Sequence, residues 1–164
     1  MILHGQINEL SALQNFLKES NAKGITNAEH LGISNLSDPS IWPDITWDGN
    51  HFISIRWHKK NLTGELDLSG FQELRELNLS NNYLLSLKVN DCHNLQMADV
   101  SDNDLQELDI SNCNLLKELF CNNNRLTTLN VQNCSSLENL DCSFNQLPNL
   151  SLFGVNGLVY LNCE

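Results

Sequence analysis

Six cysteines and five histidines are the residues of this chain best suited to metal binding, disulfide formation or nucleophilic catalysis. The cysteines form two series with a constant spacing of 21 residues, namely Cys92, Cys113 and Cys134, and Cys121, Cys142 and Cys163. A zinc site needs paired cysteines or histidines a few residues apart, and the nearest histidine is His93, beside Cys92. The spacing therefore predicts no metal site.

The second cysteine series occupies a position that also holds aliphatic residues. Counting back from Cys121 in steps of 21 residues reaches Val100 and then Leu79. Free cysteine packs as a small hydrophobe, and thiols stacked in one direction lack the crossed geometry of a disulfide. We expect buried, reduced thiols without disulfides, and a structural ladder of Cys121, Cys142 and Cys163.

No other group of residues has the pattern of a catalytic or metal centre. The five histidines share no motif, and the acidic residues recur periodically, so we predict no catalytic residue, no cofactor and no enzyme. Asp102–Asp104 and Asn122–Asn124 could suggest calcium. A calcium loop needs converging oxygen ligands and usually a bidentate glutamate, so turn formation is the favoured interpretation.

The cysteine spacing belongs to an internal repeat. Full units of 21 residues begin at Leu74, Leu95, Leu116 and Leu137, and a partial unit begins at Leu158. Their fourth position is always apolar: Leu77, Ala98, Leu119, Leu140 and Leu161. Alternation around it predicts a short strand with one buried face. Since one unit cannot bury its own apolar row, the units are expected to stack into a solenoid with two parallel sheets.

The ninth position of every full unit is asparagine: Asn82, Asn103, Asn124 and Asn145. Its amide both donates and accepts hydrogen bonds, so it can satisfy backbone groups where the chain turns after the strand. We predict a structural role for these four residues, which we call the asparagine ladder.

Residues 51–164 are assigned to the repeat, with one irregular coil before Leu74. In that coil, aligning Ile53 and Ile55 with Leu77 and Leu79 requires a spacing of 24 residues.

Residues 1–50 show no repeat and are interpreted as a helical and hairpin cap. An apolar stripe predicts a helix that ends near Gly24, and a second, shorter helix is expected after Asn27. Asp48 and Gly49 lie between two alternating runs, which predicts a hairpin. Three tryptophans near this hairpin mark either a packed junction or a binding groove, and the junction is favoured: Trp42, Trp47 and Trp57.

The charge balance argues against nucleic acid and anionic membrane surfaces as partners. Asp and Glu outnumber Lys and Arg by 20 to 9, which gives a net charge of -11. No run approaches the ~20 apolar residues of a membrane span, and the N-terminus lacks the pattern of a signal peptide. We expect a soluble protein without membrane insertion, either cytoplasmic or secreted with its signal removed.

The repeat resembles the leucine-rich-repeat family. Its motif LxxLxLxxNxL is met by Leu74, Leu77, Leu79, Asn82 and Leu84, and the resemblance covers about residues 51–164. The variant with cysteine at position six is similar to the 21-residue units of bacterial surface proteins of the internalin J type. NLTGELDLSGFQE also resembles plant receptor ectodomains, but their paired cap cysteines are absent, so the bacterial type is favoured.

The resemblance implies an α/β repeat fold and a binding function. The implied fold is a right-handed solenoid with a parallel β-sheet on its concave face, capped by the N-terminal helices. The implied function is to bind a protein partner on that face, without chemistry.

Positions three, five and seven of each unit are expected to face solvent on the principal sheet. Exposed aromatics amid carboxylates suit protein binding, because aromatics anchor and charge sets approach and specificity. A merely solvated surface is the alternative. The candidate binding residues are Glu76, Met97, Asp99, Glu118, Phe120, Asp141 and Tyr160.

The last coil suggests a second function. After Cys163 only Glu164 remains, so the apolar row of this coil has no predicted cover. Uncovered strand edges are templates for pairing. A structural or self-associating protein, with a homodimer formed through the C-terminal end, is therefore the alternative to a binding module.

Overall fold

A computed structural model describes residues 4–49 and 51–164, and it is a β-solenoid of about five turns. The chain begins with helices α1 (His4–Lys18) and α2 (Asn27–Leu31) and a 3-10 turn (Pro39–Ile41). A short antiparallel hairpin of β1 (Ile45–Trp47) and β2 (Phe52–Arg56) follows. From β2 onward each coil adds strands to stacked sheets.

Two sheets run along the solenoid. The four-stranded sheet has the order β3-β5-β7-β9, and its strands are β3 (Thr63–Asp67), β5 (Tyr83–Lys88), β7 (Glu107–Asp109) and β9 (Thr128–Asn130). The seven-stranded sheet has the order β1-β2-β4-β6-β8-β10-β11, and its remaining strands are β4 (Glu76–Asn78), β6 (Met97–Asp99), β8 (Glu118–Phe120), β10 (Asn139–Asp141) and β11 (Tyr160–Asn162). All pairs except β1 with β2 are parallel. Parallel sheets in a solenoid were predicted, and this is confirmed.

The core consists of columns of apolar side chains in register from coil to coil. In the seven-stranded sheet, Leu77, Ala98, Leu119 and Leu140 face inward and are 0% exposed. In the four-stranded sheet a matching column is 2–8% exposed: Leu66, Leu87, Leu108 and Leu129. Each coil thus buries its apolar row only against its neighbours.

The first coil differs from its predicted alignment. Ile55, not Ile53, pairs with Leu77 in register. The spacing from Ile55 to Leu77 is therefore 22 residues, one more than the regular repeat. A separate irregularity in the pairing of β1 with β2 lies at Ile53.

Helix α1 is shorter than predicted, since it ends at Lys18 and not near Gly24. Residues 20–26 form a closed loop instead, in which Ser20 bridges Thr26. The Asn21 side chain closes the loop by accepting hydrogen bonds from the backbone N–H groups of Lys23 (2.9 Å) and Ile25 (3.2 Å). A local hydrogen bond of this kind competes with helix formation. Helix α2 begins directly after the N-cap Thr26, one residue earlier than expected.

The hairpin predicted at Asp48 and Gly49 is confirmed. Aromatic rings fill the junction between the N-terminal residues and the first coil: Trp57 lies 6.4 Å from Phe16 and 6.5 Å from Trp42 between ring centroids. Both indole N–H groups donate 2.9 Å hydrogen bonds, from Trp42 to the Asn35 carbonyl and from Trp57 to that of Pro43. These two tryptophans are buried, and they form a packed junction.

Each side chain of the asparagine ladder joins two coils. The Asn124 NH2 donates to the carbonyl oxygens of Val100 (3.0 Å) and Cys121 (3.1 Å). Its Oδ1 accepts from the Leu105 N–H at 3.1 Å. The same pattern recurs at Asn82, Asn103 and Asn145. Backbone groups that the turn leaves unpaired are therefore satisfied by a side chain.

The residue just before each ladder asparagine has a left-handed backbone. Asn81, Asp102 and Asn123 have φ of 58°, 54° and 54°, which asparagine and aspartate tolerate well. Phe144 takes the same position in the fourth full unit with φ 53°, and its side chain is 70% exposed. A bulky residue in this conformation is strained.

Five of the six cysteines are buried, and Cys163 is exposed. The prediction of a buried thiol was therefore wrong for Cys163, because no further strand of the described residues packs on β11. The Cys92, Cys113 and Cys134 thiols donate to the carbonyl oxygens of residues 24 positions earlier, at 3.1–3.2 Å. Burial raises the pKa of Cys92 to about 12 and that of Cys134 and Cys142 to about 11.

Asn124→Leu should destabilise the protein, because it leaves the buried Leu105 N–H without a partner and removes one of the two side-chain hydrogen bonds to each of the Val100 and Cys121 carbonyls. We expect a loss of about 3 kcal/mol in the free energy of unfolding and a fall of about 6–12 °C in Tm. Thermal denaturation followed by circular dichroism measures this. The matched control is Asn114→Leu, at an exposed asparagine, and equal Tm values for the two variants would contradict the proposed role of the ladder.

Thiol labelling should separate Cys163 from the other five cysteines. At pH 8 a maleimide reagent should modify Cys163 within minutes, while the buried thiols, held protonated and shielded, react only after unfolding in urea. Mass spectrometry of the native protein should show one added label, and none in Cys163→Ser. A second rapidly labelled cysteine would show that a column opens in solution.

Candidate binding face of the seven-stranded sheet

Two columns of side chains cover the outer side of the seven-stranded sheet. Strand register places position three of successive units in one column, Ser54, Glu76, Met97, Glu118, Asn139 and Tyr160. Position five forms the second column, Arg56, Asn78, Asp99, Phe120, Asp141 and Asn162. We call these two columns the binding face. All seven predicted binding residues lie on it.

The face begins with an ion pair at its N-terminal end. Arg56 donates to both carboxylate oxygens of Glu76, and the Nε–Oε1 distance is 2.7 Å. This hydrogen bonding holds the pKa of Glu76 below its usual range and raises that of Arg56. Ser54, next to them, is buried, and its hydroxyl lacks a hydrogen-bond partner among the described residues. Arg56 thus already offsets the negative charge of Glu76. The sequence did not indicate this ion pair, because Arg56 lies in the irregular coil.

Asp99 and Asp141 are partly engaged in holding their own strands. Oδ1 of Asp99 accepts from the backbone N–H (3.1 Å) and the hydroxyl (2.6 Å) of Ser101. Asp141 makes the same two bonds with Ser143, at 3.0 and 2.6 Å. One oxygen of each carboxylate is therefore committed to the fold, and Oδ2 of Asp141 also accepts from the Asn162 NH2 at 3.3 Å.

Position seven does not face solvent as predicted in three of the four full units, and in the third unit Asn122 is half-buried. Ser80, Ser101 and Ser143 are 6%, 8% and 3% exposed. Each hydroxyl bonds to the side chain two residues earlier, which turns it away from solvent. The binding face is consequently two columns wide, not three.

Three apolar side chains of the face lie on strands β6, β8 and β11. Met97 and Phe120 are half-buried, and Tyr160 is 50% exposed. Phe120 is in register with Asp99 on one side and Asp141 on the other. Met97 and Phe120 are thus less exposed than predicted.

The charge on this side is mixed, not purely acidic. Arg75 and Lys117 directly precede strands β4 and β8 and are exposed. Glu118 is half-buried between Met97 and Asn139 in its column. The pattern of strand positions did not indicate these basic residues, because Arg75 and Lys117 lie just before the strands.

The binding face carries acidic, apolar and polar side chains in adjacent strands. In residues 4–49 and 51–164 no group of three or more His, Cys, Asp or Glu side chains is arranged to hold a metal ion. Over the same residues no helix is long and apolar enough to cross a membrane. Neither the protein-family models nor the curated proteins compared with this chain give a match.

Proposed function

We propose that this chain is a leucine-rich-repeat module that binds another protein through its binding face. The LxxLxLxxNxL motif, the 21-residue unit and the cysteine column support an internalin-like, bacterial type. In this proposal the two helices and the hairpin cap the first coil, and the seven-stranded sheet lines the concave side of a right-handed solenoid.

The observation that carries the proposal is the place of Phe120. Every other residue of its column is polar or charged, and the carboxylates of Asp99 and Asp141 flank it in the adjacent strands. A half-exposed aromatic ring ringed by polar groups is the usual form of an interface anchor.

A paired variant tests this function. Capture experiments from a cell lysate, read by quantitative mass spectrometry, measure which proteins the chain enriches. The proteins enriched by the parent chain should be enriched about tenfold less by Phe120→Ala/Tyr160→Ala. The matched control, Leu115→Ala/Phe153→Ala, removes exposed apolar groups outside the binding face and should retain them. If the variant of the binding face captures the same proteins equally well, the face is not the binding surface.

Self-association is a second candidate function, favoured by the exposure of the last coil. Val159 is 83% exposed and Leu161 42%, although the residues that precede Leu161 in its column are fully buried. Strand β11 also contains no charged residue, and charge is a common protection of strand edges. In this alternative, two copies pair through β11.

Light scattering over a range of concentrations decides between a monomer and a dimer. Pairing through β11 predicts a dimer that Leu161→Lys converts to a monomer, because the lysine places a charge on the shared edge. Lys88→Leu, on the four-stranded sheet, is the control and should leave the dimer intact. A monomer throughout the concentration range, or a dimer unaffected by Leu161→Lys, contradicts this second function.

A further inference from the structure

A cavity of about 510 Å³ lies between the closed loop of residues 20–26 and the first strands of the four-stranded sheet. Its apolar surface comes from Ile25, 39% exposed, and Tyr83, 57% exposed. Polar side chains of Lys23, His30, Asn61 and Thr63 complete the lining. Cavities of this size with an apolar wall and a few polar groups are typical of small-molecule sites.

Hydrogen bonds hold the backbone of both walls of the cavity in place. The Asn21 side chain and the bridge between Ser20 and Thr26 close the loop wall. Buried Asn27 then ties the walls together, accepting from the Thr63 N–H at 3.0 Å and donating to the Thr63 carbonyl at 2.9 Å. A preorganised site loses little conformational freedom on binding.

The orientation of the Asn21 amide also fixes the tautomer of His30. Since Asn21 Oδ1 accepts two backbone N–H groups, its NH2 is the group 3.1 Å from His30 Nε2 and donates to it. Neutral His30 therefore carries its proton on Nδ1 and can donate a hydrogen bond from that atom.

The charge of the cavity is opposite to that of the protein. The chain has 20 acidic and 9 basic residues, yet the lining contains Lys23 and no carboxylate. Among the described residues Lys23 forms no ion pair. The Lys23 ammonium and the exposed Tyr83 ring therefore suit a ligand that carries a negatively charged group on an aromatic ring.

We propose that this cavity binds a small aromatic carboxylate. The ring lies against Tyr83 and Ile25, and the carboxylate accepts hydrogen bonds from the Lys23 ammonium. The site shares no residue with the binding face, so it stands whether or not that face binds a protein.

Nuclear magnetic resonance titration of the 15N-labelled chain tests the proposal with two probes of equal shape, 2-naphthoate and neutral 2-naphthamide. Naphthoate should shift the amide signals of residues 21–25, 61–63 and 83, and it should bind about tenfold more tightly than naphthamide. Lys23→Gln should remove this preference for naphthoate. Tyr83→Ala should lower the affinity for both probes about tenfold. Leu85→Ala, an exposed neighbour outside the lining, should bind as the parent chain does.

Three results would overturn the proposal: no shift at millimolar naphthoate, shifts centred on other residues, or equal binding of the two probes by the parent chain. The side chains of Lys23 and Tyr83 are exposed, so both variants should keep the spectrum of the folded protein. Loss of that spectrum would itself count against the preformed cavity, since its walls are held by Asn21 and Asn27.

Discussion

Every turn of this solenoid contains backbone N–H and C=O groups that the sheets do not pair. At each coil an asparagine amide forms hydrogen bonds with these groups. Asn82 accepts from the N–H groups of Lys60 and Leu62, both at 3.0 Å, and donates to the carbonyls of Trp57 and Leu79. These partners belong to two successive coils, so one side chain sets the spacing and register of both. The apolar columns can pack in line because this spacing is kept.

The first coil has no preceding coil with which to share hydrogen bonds. Side chains of the N-terminal helices accept hydrogen bonds from its backbone N–H groups instead. Glu9, 6% exposed, accepts from the Phe52 N–H at 3.2 Å, and Glu19 accepts from the Glu65 N–H at 3.1 Å. Asn27 serves Thr63 in the same way. Both sheets thus begin against a surface that offers hydrogen-bond partners as well as the aromatic junction.

Much of the fold could be predicted from the sequence because stacking makes equivalent positions visible as columns. The inward positions, the asparagine ladder and the Asp48–Gly49 hairpin follow from spacing and turn chemistry alone. The register of Ile55 could not be predicted, since its 22-residue spacing to Leu77 departs from the repeat, and the end of α1 could not be predicted, since it depends on a local side-chain hydrogen bond that leaves no periodic signal. On the binding face, the outward columns were predictable, but the ion pair of Arg56 with Glu76 and the inward turn of Ser101 depend on side-chain geometry.

The left-handed Phe144 should make the C-terminal end of the solenoid less stable to local unfolding than the N-terminal end. At the N-terminal end, rings from four segments interlock around Trp57 and Phe52. At the other end a strained turn precedes a strand with an exposed Leu161. In a stack stabilised by nearest neighbours, unfolding starts where the terminal interface is weakest. The coils after Phe144 should therefore fray first and exchange their amide protons fastest, while those beside Trp57 persist until the whole structure is lost.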